Sequence, residues 1–468
     1  MSPLPPVGPR PLVRRVRTAS LALLLGTALV APTLPSAAAE PVVGAPSGTV
    51  THWNAVAGEA ALAVGLAPAN NPLHESRMYA MVQVAVHDTL NAIEPRYRSY
   101  AYDGDAPAGT SVEAAVAVAA HDVLVSALGQ LTPPFDAGAG AGVAVVEDAF
   151  DDAMAAVPEG RARTDGVAVG AAAADAVLAL RAGDGSDTPL IVDGTVFEQG
   201  TEPGEWRFTP ERPFAFAPGW GDVDPFALGR ASQFGIGAPY RVTGRRYAAD
   251  LAEVKALGGD DVTTPSARTA DQTEIAYFWL ESSPLAWNRI ARTLAAEQGL
   301  DEWEAARLLA LLDLALADGY VASFDTKYDD SFWRPVTAIH EAAHDGNPAT
   351  TADPDWTPLA VTPPIPDHDS AHAVEGGAAA AVFRSFFGTD AVAFSACSRL
   401  LPEGTCTEAD PTLRTFNSFS AAAQENADSR IYVGFHFRHA TEAGLDHGHR
   451  IGSFVAHRYL KPLRGRRS

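Results

Sequence analysis

Cysteine is nearly absent: Cys397 and Cys406 are the only two in 468 residues. Two thiols alone leave a structural zinc site under-coordinated. Positive charge is also scarce, with 34 Lys and Arg against 57 Asp and Glu and a formal net charge of -23. That balance argues against nucleic acid, polyphosphate surfaces or anionic membrane as partners, and any anion site must be a local basic pocket in an acidic protein. Beyond the N-terminal segment no run reaches roughly 18 uninterrupted apolar residues, so no stable membrane span is expected. Strand signals are few, and no repeat of roughly 20–50 residues suggests a solenoid.

What is present begins with a targeting pattern. Arg10, Arg14, Arg15 and Arg17 form a basic start, ASLALLLGTALVAPTLP an apolar core, and SAAAE an Ala-x-Ala-type cut near Ala39. Residues 1–39 are therefore expected to be a signal peptide and the mature chain to be secreted, with Arg14-Arg15 leaving both the general and the twin-arginine routes open. In an exported chain the two cysteines are expected to form one disulfide across CSRLLPEGTC.

Residues 40–468 are expected to form a single, mainly α domain, with an N-terminal helical half to about 265 and a catalytic half from about 266. Ala/Leu/Val stretches with polar breaks at helical spacing dominate, among them SRMYAMVQVAVHDTLNAI, SVEAAVAVAAHDVLVSALGQL, TDGVAVGAAAADAVLALRAG, EWEAARLLALLDLALADGYVASF, AVEGGAAAAVFRSFFG and FNSFSAAAQENADSRIYVG. From about Gly185 to Tyr240 the text turns to Pro, Gly and aromatics, which cannot form one helix and instead suit a segment wrapping the bundle at a pocket mouth.

Three basic clusters stand out. KYDDSFWRP places Lys327 and Arg334 seven positions apart, next to Pro335. In PDHDSAHAVEGG a proline-rich loop meets a small-residue helix at Ser370, where free N–H groups and the helix dipole favour an anion, with His372 in the first turn. DSRIYVGFHF carries Arg430 and His436, which diverge by about 120° on a straight helix and so need a bend, supplied at Gly434. Singly, each is an ordinary surface pair or capped helix. Together they supply three cations, a hydroxyl, backbone amides and two imidazoles, the parts of a tetrahedral oxyanion site with one histidine to attack or coordinate and one to move protons.

Lys-x6-Arg-Pro, then Pro-Ser-Gly-His, then Ser-Arg-x5-His is the signature shared by vanadium-dependent haloperoxidases and type-2 phosphatidic acid phosphatases, and this chain resembles it. The first part is matched by Lys327, Arg334 and Pro335, the third by Ser429, Arg430 and His436. The second reads Asp369-Ser370-Ala371-His372, with Asp for Pro and Ala for Gly. WNAVAGEAAL, RMYAMVQVAVHDTLNAI and SPLAWNRIARTLA extend the likeness across most of the mature chain, toward the bacterial haloperoxidase branch.

The resemblance implies a helical-bundle haloperoxidase/acid-phosphatase-like fold and vanadate as cofactor. It implies His436 as the axial ligand of vanadium, Lys327, Arg334 and Arg430 at the equatorial oxygens, and Ser370 and the Ala371 amide as donors. His372 would take a proton from hydrogen peroxide, Lys327 would polarise the peroxide, and a halide would be oxidised to a hypohalous acid, with an organic acceptor open. The alternative is a phosphatase without vanadate, in which His436 is the nucleophile and His372 protonates the leaving oxygen; a second is an inactive oxyanion-binding homologue. Weaker expectations attach to His368, His439, His447 and His449 as neighbours of the site, to Asp318 and Asp325 as counter-charges, to Glu425 as a partner of Arg430, and to Phe332 and Trp333 as pocket walls, with core packing favoured for those two. Ile365 stands where chloroperoxidase-like sequences carry an aromatic near the halide.

Overall fold

Residues 302–330 show best how this sequence becomes structure. Asp301 accepts from the Glu304 N–H while the Glu304 carboxylate accepts from the Asp301 N–H, a reciprocal cap that starts a 29-residue helix. From Ala305 to Phe324 nearly every side chain is buried, so the helix is apolar on all sides and lies at the centre of the molecule. The computed structural model describes residues 43–401, 405–406 and 411–463, and residues 41–468 cluster as one unit. The expected signal segment, 1–39, lies outside the described residues.

Thirteen α-helices and four three-residue strands are described, in keeping with a mainly α fold. The first five helices are α1 (Thr49–Val64), α2 (Pro72–Ile93), α3 (Val112–Gly129), α4 (Ala139–Ala156) and α5 (Arg161–Leu180). They are followed by α6 (Arg245–Leu257), α7 (Ala270–Phe278), α8 (Ser283–Glu297), α9 (Glu302–Asp330), α10 (Pro335–Glu341), α11 (Ala371–Phe387), α12 (Phe419–Tyr432) and α13 (Arg438–Arg458). The strands form two antiparallel pairs, β1 (Ile191–Asp193) with β2 (Phe214–Phe216) and β3 (Phe394–Ala396) with β4 (Arg414–Phe416). The helix α3 is long and apolar enough to cross a membrane, but it packs against α2, α4 and α5 within the bundle.

Around α9 pack α2, α11 and α13. The α11–α13 pair approaches closely because glycine removes the side chains between the two backbones. A Cβ at Gly448 would lie 1.8 Å from the Val374 carbonyl oxygen, one at Gly452 2.3 Å from that of Ala378, and one at Gly444 2.6 Å from that of Ser370. This contact fixes the start of α11 against α13.

The Pro/aromatic segment does wrap the bundle. Asp318 of α9 accepts from the N–H groups of Phe226, Ala227 and Leu228, and Tyr328 donates its hydroxyl proton to the Phe216 carbonyl. The Phe216 N–H donates to Pro364, tying β2 to the loop that precedes α11. Cys397 and Cys406 are disulfide-bonded, as the exported-chain argument expects.

Candidate oxyanion site

Each of the three basic clusters sits where a helix ends or begins. Lys327 is in the last turn of α9, the chain reverses at Ser331 in a left-handed conformation, and Arg334 is the N-cap of α10 with Pro335 at its first position. Ser370 is the N-cap of α11. Arg430 is in the last turn of α12, and His436 lies in the connection to α13, immediately before its N-cap Phe437. Gly434 makes the bend with φ 85, and a Cβ there would fall 2.6 Å from the Gly258 carbonyl oxygen. Arg430 and His436 therefore belong to different segments and still converge.

They converge on a cavity of about 340 Å³ lined by Lys327, Arg334, Ala371, His372, Arg430 and His436. Tyr320, Phe324 and Lys327 form one helical stripe of its wall, while Phe214 and Phe216 of β2, flanking the buried Ala215, line another part. Ile365 also lines it, whereas Phe332 and Trp333 are packed in a separate core cluster with Tyr247 and Phe437.

The inner groups are buried, and several of their donors have no partner among the described residues. Arg334 donates from Nε to Ile365 (2.7 Å) and from Nη1 to Phe435 (2.9 Å), but its Nη2 has no partner. Arg430 donates from Nη1 to Trp279 (3.0 Å), while its Nε is unpartnered. The Ser370 hydroxyl is buried and unpartnered too: it does not cap its own helix, contrary to the N-cap expectation for its side chain. The first N–H groups of α11, including that of Ala371, have no acceptor one turn back. Three buried donors without a partner among the described residues, two of them on guanidinium groups that line the cavity and one on Ser370 beside the lining residues Ala371 and His372, suit an oxyanion. Burial lowers Arg334 to about 10 and Arg430 to about 9, so both remain charged at neutral pH.

The two imidazoles are neutral. Burial and the neighbouring cations push His372 and His436 well below the ordinary histidine value. Arg334 Nη1 lies 2.9 Å from His436 Nε2, and a guanidinium only donates, so Nε2 carries the lone pair and faces the cations. His436 Nδ1 is 2.9 Å from Asp367 Oδ1, at ion-pair distance but not aligned for a hydrogen bond. His372 Nε2 is 3.2 Å from the Glu281 carbonyl oxygen, which only accepts, leaving Nδ1 as the basic nitrogen.

Lys327 differs from expectation. Its ammonium donates to the carbonyls of Pro366 and Asp367, each at 3.0 Å, and to that of Asp369. All three protons hold the loop before α11, so the residue presents charge to the cavity rather than a free N–H. Burial, with Arg334 alongside, lowers it to about 7.

Two carboxylates behind this wall were not singled out from the sequence for these roles. Asp367 backs His436, and burial raises it to about 7. Asp369, at the position of the signature proline, accepts from Ser323 Oγ (2.6 Å) and His447 Nδ1 (2.7 Å). Burial works against its charge, yet His447 and Lys327 hold its carboxyl below the usual range. His447 is thus the histidine neighbour that matters. His368 and His439 stack on each other at 5.1 Å, and His449 pairs with Arg384 on an exposed face. Glu425 binds Arg414 and the Trp279 indole, not Arg430, and Asp318 holds backbone amides rather than an arginine. Asp325 is half-buried where α9 meets Gly221. No spacing in the sequence links Asp367 to His436 or Ser323 to Asp369; only folding brings them together.

Comparison with known proteins bears on the family and the fold. Residues 307–465 match the family described as VCPO second helical-bundle domain. The chain is 27% identical over 245 residues to vanadium chloroperoxidase of Curvularia inaequalis, a match covering 41% of this chain and 40% of that protein. In fold it is similar to the first bacterial vanadium-dependent iodoperoxidase, with TM-score 0.71, 24% identity, and 90% and 98% of the two chains covered. It is also similar to an apo-type bacterial vanadium-dependent chloroperoxidase, with TM-score 0.63, 16% identity, and 84% and 94% covered.

Proposed function

We propose, from a chain whose residues 307–465 fall in the VCPO second helical-bundle family and whose fold is that of the vanadium haloperoxidases, that this protein is a secreted, vanadate-dependent haloperoxidase. It oxidises halide with hydrogen peroxide to hypohalous acid: peroxide, halide and one proton give hypohalous acid and water. The observation that carries this is that Arg334, Arg430 and His436 line one cavity, Arg334 Nη1 lying 2.9 Å from His436 Nε2, while buried donors of Arg334, Arg430 and Ser370 have no partner among the described residues.

That donor set fits vanadate. Arg334, Arg430, Ser370 and the Ala371 amide would hold its oxygens, Lys327 would add charge from behind the loop, and His436 Nε2 would be the ligand to vanadium. When bound, vanadate supplies Lewis acidity at constant oxidation state, which activates peroxide toward a halide. The protein's own work is to orient and to move protons. Asp367 backs the far side of the His436 ring, and the Glu281 carbonyl fixes the tautomer of His372 so that its Nδ1 accepts the proton of incoming peroxide. Asp369, held by Ser323 and His447, fixes the loop where the signature has a proline.

The test is bromide and chloride oxidation by vanadate-loaded protein across pH 4–8, beside phosphate-ester cleavage by the vanadate-free form. Halide oxidation is expected. No halide oxidation, with ester cleavage that depends on His372, reverses the assignment in favour of a phosphatase.

A further inference from the structure

The cavity is larger than an oxyanion, peroxide and halide require, and its outer part has a chemistry of its own. No carboxylate is among its lining residues, in a chain with 57 acidic residues. The apolar part of the lining includes four phenylalanines, Phe135, Phe214, Phe216 and Phe324, of which the first three are partly exposed. At the mouth Arg212, on the stretch entering β2, is exposed, and among the described residues its guanidinium has no hydrogen-bond or ion-pair partner. In a surface this acidic an unpaired arginine beside aromatic rings is a receptor for an anion on an aromatic body. A guanidinium binds carboxylate in a bidentate fork, and the ring faces favour a flat apolar group. The whole cavity, of about 340 Å³, is in the range of pockets that take small organic ligands.

We propose that the outer cavity is a binding subsite for an aromatic acid, such as a phenolic carboxylate, with Arg212 on the carboxylate and the ring among the phenylalanines. This rests on the haloperoxidase assignment for the reaction it serves. The ring is halogenated inside the cavity by hypohalous acid made at its inner end. A carbon–halogen bond forms, the oxygen–halogen bond breaks, and the displaced ring proton leaves with the hydroxide as water.

The probes are 4-hydroxybenzoate and its neutral isostere 4-hydroxybenzamide, titrated calorimetrically into full-length protein in excess orthovanadate, without peroxide or halide. Wild type is expected to bind the carboxylate at least tenfold more tightly than the amide. In Arg212→Ala the preference should fall below about twofold, and Arg212→Lys should keep part of it. Equal affinity of the two probes for wild type, or a preference that survives in Arg212→Ala, overturns the subsite. Because each variant is scored by a ratio of two probes, a change in its overall affinity does not disturb the comparison. Bromide oxidation by wild type without an aromatic acceptor is measured separately. Its absence overturns the haloperoxidase assignment and the halogenation step, whereas loss of the carboxylate preference with bromide oxidation intact overturns the subsite alone.

Discussion

His372 and Lys327 carry the consequences that single residues can test. His372 is neutral, with its Nε2 proton committed to the Glu281 carbonyl. His372→Ala should leave orthovanadate bound yet lower bromide oxidation by about 10²–10⁴-fold, the usual worth of a positioned base. Loss of binding in the same titration would make the residue a ligand instead. Lys327 sets a pH dependence. Its value of about 7 lies below the ordinary lysine value because burial disfavours the charge, so the cavity loses a positive charge as pH rises through neutrality. Asp367, raised to about 7, gains a negative charge over the same range. Both changes weaken an anion site, and bromide keeps one charge throughout, so the KM for bromide should rise from pH 6 to pH 8; a flat profile would contradict the assigned shifts. The sequence made the six signature positions legible because each part of the signature lies within a short stretch of chain. Asp367, Ser323 and His447 were not legible in these roles, since a buried carboxylate is matched to its partner by packing between separate helices.

Among the elements, α9, α2 and α11 announce themselves through continuous apolar text, α9 and α2 also through side-chain caps, and α13 does not. RHATEAGLDHGHRIGSFVAHR has glycines at Gly444, Gly448 and Gly452, each costing helix propensity of about 1 kcal/mol relative to alanine, and a mixed polar surface. The physical reason lies in its neighbour: those glycines let α13 lie against α11 almost backbone to backbone. Intrinsic propensity is given up for a contact that positions Ser370 and His372. Gly448→Ala should therefore destabilise the protein by about 2–3 kcal/mol in denaturant unfolding, despite the better propensity of alanine. An unchanged or raised midpoint would show that the two helices are not pressed together as described. The shorter helices α6, α7 and α10, set among loops, also lack a long apolar period, which is why their existence emerges only from tertiary packing.

For the whole molecule, an acidic exterior surrounds one cavity whose lining holds four cationic side chains and no carboxylate. Such a contrast favours anion binding in the cavity and disfavours adsorption to anionic polymers. Export belongs to this scale as well. Mass spectrometry of protein from the culture medium should find a chain beginning near Glu40 with Cys397 joined to Cys406, and an intact N-terminus recovered only with membranes would contradict secretion. Opening that short loop by reduction should cost about 2–3 kcal/mol, with the loop far from the cations that define the activity in sequence. The central claim is that Arg334, Arg430, Ser370 and His436 form one oxyanion site with His436 Nε2 as the ligand to vanadium. Calorimetric titration of orthovanadate into wild type and His436→Ala tests it most directly. The account predicts one tight site in wild type, competed by phosphate, and no tight binding in the variant; equal affinity in the two proteins would place vanadate elsewhere and contradict it.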